Sequence, residues 1–223
     1  MNQLVLDLTL PLAPAFDTFI AERNREVIAA LTDTVRREGS VHLWGEGGSG
    51  KSHLLKAWVE HAHALGRAAI YVDARAERLP DFVREASAVA VDHVDDLDPD
   101  DQITLFSVFN ALQESGGRLL TAGRLPPAQL ALRPDLATRL ASGLVLEVKP
   151  LSDEDKLAAL VGHASARQLA VPDEVLRYLL THWRRDLASL TDMLDTLDRY
   201  SLAMHRPITV PLVKHILQAR LLD

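Results

Sequence analysis

The chain has 223 residues, 24 lysines and arginines against 31 aspartates and glutamates, and a net charge of −7. With no cysteine, disulfides, cysteine-based zinc sites and thiol catalysis are excluded. The acidic balance and the lack of a Lys/Arg-rich run argue against a basic face gripping duplex DNA directly. The length suffices for a sizeable core, no apolar run is long enough to cross a membrane, and the N-terminus lacks the order of a signal peptide. A cytoplasmic setting is expected.

Residues 1–15 form a tail in which leucines 4, 6, 8, 10 and 12 alternate, an extended pattern with one apolar edge. Two readings stand: an edge strand, or a linear motif that lies in a partner's groove through backbone pairing and alternate side chains. Pro11 and Pro14 argue against continuing a sheet. A helix is expected from about Glu22 to Arg37, ended by Gly39.

A short apolar strand, Val41 to Trp44, then runs into Gly45-Glu46-Gly47-Gly48-Ser49-Gly50-Lys51-Ser52-His53 and an apolar helix. Gly45, Gly50, Lys51 and Ser52 fill the pattern G-x-x-x-x-G-K-[ST] of a phosphate-binding loop. Its glycines let successive backbone N–H groups and a helix N-terminus face a phosphate. Lys51 would reach the β- and γ-phosphates, and the Ser52 hydroxyl would ligate Mg²⁺.

Further strands are expected at 68–72, 88–91, 118–121 and 144–148, with helices near 81–85, from Asp98-Pro99 to Gly116, and near 135–141. This alternation predicts an α/β fold: a parallel five-stranded sheet flanked by helices, with ligands at the carboxyl ends of its strands. After Pro150 the strands stop. Ser152-Asp153-Glu154-Asp155 reads as a capping box, and four helical segments follow at 152–169, 172–182, 185–204 and 209–221. The expected division is a tail (1–15), an α/β base (16–150) and a small all-α lid (151–223).

Asp92 ends the third strand, where a carboxylate that organises Mg²⁺ belongs; an ordinary post-strand aspartate is the alternative. His93 stands where many NTPases place a second carboxylate. Asp95, Asp96, Asp98, Asp100 and Asp101 read mostly as capping and solvated-loop residues. Thr121 ends strand four, as a polar sensor of the γ-phosphate or a satisfied strand-end threonine. Arg139 is either a solvated arginine or a finger reaching a neighbour's nucleotide. The histidines lack zinc-enzyme spacing, Ser49 and Ser115 lack a nucleophile-elbow context, and Trp44, Trp58 and Trp183 read as core.

Taken together, the Gly45–Ala57 stretch, the upstream Phe16-x-x-Phe19-Ile20 with Asn24-x-Glu26, and Pro134-Asp135-Leu136-Ala137-Thr138-Arg139-Leu140 resemble the phosphate loop, the adenine-enclosing segment and box VII of the DnaA/Hda family of AAA+ proteins. Pro150-Leu151-Ser152-Asp153-Glu154-Asp155-Lys156-Leu157 and Leu194-Asp195-x-Leu197-Asp198-Arg199 resemble its Hda branch, regulatory inactivators of the initiator DnaA. Gln3-Leu4-Val5-Leu6-Asp7-Leu8 resembles that branch's Q-L-x-L-x-L peptide for the DNA polymerase III sliding clamp, the β subunit.

The resemblance implies a negative regulator of replication initiation. Gln3, Leu4, Leu6 and Leu8 would dock on the clamp, the body would meet DnaA, and Arg139 would act in trans on DnaA's ATP, with Asp92 and Thr121 as the chain's own catalytic positions. ADP or ATP would be held by Gly45, Gly47, Gly48, Ser49, Gly50, Lys51, Ser52 and His53, with Phe19 and Ile20 at the base, and Mg²⁺ by Ser52 and Asp92. DNA would be met only indirectly, through the clamp on the nucleoid; no membrane is involved, and a homo-oligomer stays open. No residues remain after the lid for the helix-turn-helix domain of DnaA. Ala188 stands where the family's lid carries a phosphate-contacting arginine, unless Arg184 or Arg185 substitutes in a shifted register. With His93, this predicts weak or diphosphate-selective binding and little intrinsic turnover. The competing readings are an AAA+ helicase loader or truncated initiator acting on DNA, and a small-molecule kinase.

Overall fold

A computed structural model describes residues 14–20, 22–33, 39–80, 83, 85–184, 186–204 and 206–220. They form two compact units: the described residues up to Trp44 with Lys51–Glu147, and Gly45–Gly50 with the described residues from Val148 onward.

The first unit is built on five parallel strands: β1 (Gly39–Trp44), β2 (Ala69–Asp73), β3 (Ala88–Asp92), β4 (Arg118–Gly123) and β5 (Leu144–Glu147), in the spatial order β2-β3-β4-β1-β5. Helices α1 (Arg25–Thr32), α2 (Lys51–Ala64), α3 (Pro99–Ser115) and α4 (Pro134–Ala141) accompany them. Parallel strands need crossovers, so both faces of the sheet are covered and β3 is buried along its whole length. Side chains alternate between the faces. Val89 and Val91 join one core with Leu105, Val108 and Leu112 of α3 and Leu136 and Leu140 of α4. α2 packs on β2, β3 and β4 and buries Leu54, Leu55, Trp58 and Val59.

Local chemistry sets the element ends. The Asp98 carboxylate accepts the N–H groups of Asp100 and Asp101, each at 2.9 Å, and Pro99 supplies the first turn of α3. Gly116, at φ 72°, closes the helix in the left-handed region. Of the helix expected over 22–37, the structure describes Arg25–Thr32; residues 34–38, and residues 81, 82 and 84 of the expected short helix, lie outside the described residues.

The four helices expected after Pro150 are present: α5 (Asp153–Ala166), α6 (Asp173–His182), α7 (Leu187–Met204) and α8 (Val210–Arg220). Ser152 and Asp155 form the capping box, Ser152 Oγ accepting the Asp155 N–H and Asp155 Oδ2 accepting the Ser152 N–H, both at 3.1 Å. Apolar residues at helical spacing, Leu176, Leu179 and Leu180 on α6 and Leu190, Met193, Leu194 and Leu197 on α7, meet Leu160, Val213 and Ile216 in a second core.

Candidate functional site

β1 ends at Trp44 and the chain enters the glycine loop, which leads into Lys51 and Ser52 at the start of α2. The loop is defined by packing as well as by turn geometry. Gly48 has φ 76°, and a Cβ there would lie 2.7 Å from the Cβ of Asp186. A Cβ on Gly45 would lie 2.5 Å from the Val148 carbonyl oxygen. Any side chain at either position would have to displace backbone or a short, fixed side chain. Ser49 is buried and its N–H donates to the Glu46 carbonyl; Gly50, too, has positive φ.

Lys51 is buried, and burial lowers its pKa against the opposing pull of Asp92 and Asp95; Arg75 adds to the lowering. Asp92 is buried at the end of β3, in register with Asp73 at the end of β2. Each Asp92 oxygen has a protein donor: Oδ2 accepts the Tyr71 hydroxyl at 3.1 Å, and Oδ1 accepts the His93 N–H at 2.9 Å. Burial foremost, then the charge of Asp92 and its hydrogen bond, push the Tyr71 phenol far above its usual range, so it stays a donor. His93 adopts the left-handed conformation, φ 55°, and its Nδ1 lies 2.8 Å from Asp73 Oδ1. Among the described residues no group of three or more His, Cys, Asp and Glu side chains could hold a metal by itself. Ser52 and Asp92 offer hard oxygen donors suited to a magnesium ion that takes its other ligands from phosphates and water.

Thr121 is buried beside His42, its register partner on β1. His42 Nδ1 is 2.9 Å from Thr121 Oγ1, and its Nε2 is 3.1 Å from the Leu125 carbonyl oxygen. A carbonyl only accepts, so Nε2 carries the imidazole proton and Nδ1 accepts the Thr121 hydroxyl. The threonine's one proton is thereby committed to the histidine, and what it has left for a ligand is acceptor capacity. Of the aspartates beyond β3, Asp98 caps α3 and Asp96 and Asp100 are exposed, as their spacing suggested, whereas Asp101 and the side chain of Asp95 are shielded from solvent. Asp95 is held by Arg124, Oδ2 by Nε at 2.5 Å and Oδ1 by the backbone N–H at 3.0 Å, and these bonds lower its pKa against burial, the largest single influence.

Phe19 and Ile20 are half-buried ahead of α1. The Phe19 ring lies 5.8 Å from the His53 ring, and His53 Nε2 is 3.0 Å from the Ala15 carbonyl oxygen and 3.2 Å from Thr18 Oγ1, which ties this segment to α2. Arg139 is exposed on α4, with its guanidinium 5.9 Å from the Phe106 centroid and 5.7 Å from that of Phe109. Among the described residues no carboxylate pairs with it. Gln3, Leu4, Leu6 and Leu8, like Arg185, lie outside the described residues. Ala188, the second residue of α7, is exposed.

Residues 153–217 match the family model of the Hda lid domain. This segment, less than a third of the chain, is an Hda-type lid. Among solved structures, this chain is similar to domain III of the replication initiation protein DnaA from Thermotoga maritima, with 19% identity over 94% of this chain and 98% of that one and a TM-score of 0.77. It is similar also to a DNA replication initiation factor (20% identity, 85% and 65% of the two chains, TM-score 0.71). A third likeness is to AMPPCP-bound DnaA from Aquifex aeolicus (21%, 85% and 66%, TM-score 0.69). The chain spans just under two thirds of the length of these last two. At such identities the likeness is one of fold.

Reading along the chain missed Tyr71, His42, Asp73 and Arg124 as members of the candidate site. One signal for Asp73 was available: like Asp92 it closes a short apolar strand, and parallel strands bring such ends together.

Proposed function

We propose that this AAA+ chain regulates replication initiation by completing the ATP site of a DnaA-type partner. The observation that carries this reading is Arg139. Its guanidinium is exposed on α4, rests over two aromatic rings, and pairs with no described carboxylate. A cation so placed is free to enter a neighbour's nucleotide, where an arginine finger that offsets charge on the transferred phosphoryl group accelerates hydrolysis by about 10³–10⁵. The Hda-type lid supports the regulatory role.

The chain's own loop binds ADP or ATP through Lys51 and the glycine backbone, with Ser52 and Asp92 toward Mg²⁺ and Phe19, Ile20 and His53 toward the base. The AMPPCP carried by the Aquifex aeolicus DnaA supports nucleotide as the ligand class. This site holds more than it turns over: His93 replaces a second carboxylate, Thr121 has spent its proton on His42, and Ala188 brings no charge. The tether to the sliding clamp rests on Gln3, Leu4, Leu6 and Leu8 as sequence.

Single-turnover hydrolysis of ATP preloaded on a DnaA-type partner, with clamp and DNA present, tests the finger. Arg139→Ala should remove the stimulation, a loss of about 10³ or more, while the lost cation–π contacts lower Tm by no more than about 4 °C. Equal stimulation by both proteins rejects the finger. Clamp capture by the wild-type chain but not by Gln3→Ala/Leu4→Ala tests the tether, and equal capture rejects it.

A further inference from the structure

The stretch from Ala15 to Phe19 has no core of its own. It makes a single 3₁₀ turn, Phe16–Thr18, none of whose residues is buried, and a turn of this length does not hold its shape unaided. Thr18 Oγ1 donates to the Ala15 carbonyl at 2.8 Å and accepts the Ala15 N–H at 3.3 Å. What fastens the turn to the body is α2, through His53 and His61, all within the first unit. The Phe16 ring meets the His61 ring edge-on at 5.7 Å, and the Phe19 ring lies 5.8 Å from that of His53. His53 Nε2 is 3.0 Å from the Ala15 carbonyl oxygen and 3.2 Å from Thr18 Oγ1. A carbonyl only accepts, and the threonine has given its own proton to that same carbonyl. Nε2 therefore carries the imidazole proton and donates it to the turn. Nothing on this nitrogen is left for a ligand.

We infer that His53 is a positioning residue for base recognition: its Nε2–H pins the Ala15–Thr18 turn to the first turn of α2, which sets Phe19 and Ile20 as an apolar wall for a flat nucleobase. This rests on the reading that the glycine loop, Phe19 and Ile20 bind a nucleotide, and it gives His53 a part played through the turn rather than on the nucleotide. Ser52 and His53 are consecutive, so one turn of α2 both offers a hydroxyl toward the phosphates and fastens the wall. A base packs on an aromatic ring and a branched aliphatic chain through apolar area and ring geometry, and it binds best when that wall is in place before it arrives. A bare phosphate chain has no surface for Phe19 and Ile20 to meet. Loss of the Nε2–H should therefore weaken a nucleotide and spare inorganic pyrophosphate.

Nucleotide-stripped full-length protein is titrated by calorimetry with ADP and, separately, with inorganic pyrophosphate, both with Mg²⁺. His53→Leu should weaken ADP about tenfold, the equilibrium counterpart of one lost hydrogen bond, and leave the pyrophosphate Kd within about twofold of wild type. His53→Gln, whose amide N–H can stand in for Nε2–H, should bring ADP back to within about threefold of wild type. Thr18→Val removes one of the two oxygens that accept this N–H and leaves α2 untouched. It should show the same ADP-selective loss, about threefold, and it carries the test if His53→Leu does not fold. Equal weakening of both ligands, with a lowered Tm, marks a merely structural histidine and overturns the inference. An unchanged ADP Kd in both variants overturns it too, as does a His53→Gln no better than His53→Leu. A wild type that binds pyrophosphate as tightly as ADP gains nothing from the base, which overturns the inference and leaves phosphate binding by the glycine loop standing. If the wild type binds neither ligand, the nucleotide reading fails and takes the inference with it.

Discussion

Thr121 and His42 occupy paired positions on β4 and β1, and the threonine hydroxyl donates to the histidine Nδ1 across 2.9 Å. The imidazole is buried, its other nitrogen donates to the Leu125 carbonyl, and the lysine of the phosphate loop is among its neighbours in charge. Burial is the largest influence on His42 and lowers its pKa, with Lys51 adding to the lowering and the Leu125 bond and Asp95 opposing it.

A stability profile follows from the sign of that shift. The folded pKa lies below the ordinary 6.5, so the unfolded chain takes up the proton first as pH falls. Between 6.5 and the lowered folded value the unfolded state binds more protons, and stability is lost with acidification. His42→Gln cannot take up that proton. Its Tm deficit relative to wild type should therefore shrink on going from about pH 8 to about pH 5, as followed by circular dichroism. Parallel curves would show that His42 does not titrate differently in the two states.

The phosphate loop makes a second prediction through two neighbouring glycines. Gly48 combines φ 76° with a Cβ position 2.7 Å from Asp186 Cβ, whereas a Cβ on Gly47 meets nothing within 4 Å. Gly48→Ala should cost about 1–3 kcal/mol through a strained backbone conformation and the displaced neighbour, and Gly47→Ala no more than about 0.5 kcal/mol. Thermal or urea unfolding of the two variants side by side decides it. Equal stabilities would mean that the loop does not hold this geometry in solution.

Ala188 is the third. Placing an arginine at this exposed second residue of α7 adds the cation that the sequence resemblance implies for this position. Ala188→Arg should tighten ADP and ATP binding about tenfold or more, the value of one charge-assisted contact to phosphate. Calorimetric titration with both nucleotides reads the change. An unchanged Kd would place the nucleotide out of reach of this position.

The elements that repeat a local rule were legible along the chain. Five apolar strand segments, each followed by a helix or turn signal, gave the parallel sheet, and periodic leucines after Pro150 gave four helices. Gly116 and the Asp98-Pro99 pair marked the ends of α3 because capping is decided within a few residues. Gly45, Gly50, Lys51 and Ser52 were legible as a motif for the same reason: the pattern lies in one continuous stretch of backbone at the turn into α2. Trp58 proved a core residue as its pattern suggested, while Trp44 and Trp183 are only half-buried, the latter donating its indole N–H to the Ser189 carbonyl.

The sequence by itself thus determined the fold class, the glycine loop and the lid, because periodicity, caps and glycine spacing act over one turn or one strand. Only the tertiary structure decided what the loop's neighbours do. Tyr71 reaches Asp92 across 21 residues, Arg124 reaches Asp95 across 29, and Thr121 reaches His42 across 79. Those pairs are fixed by which strand lies beside which and in what register, and a one-residue slip would turn each side chain to the opposite face of the sheet. Whether Asp92 is open to a metal, and whether Thr121 has a proton to give, are properties of that register.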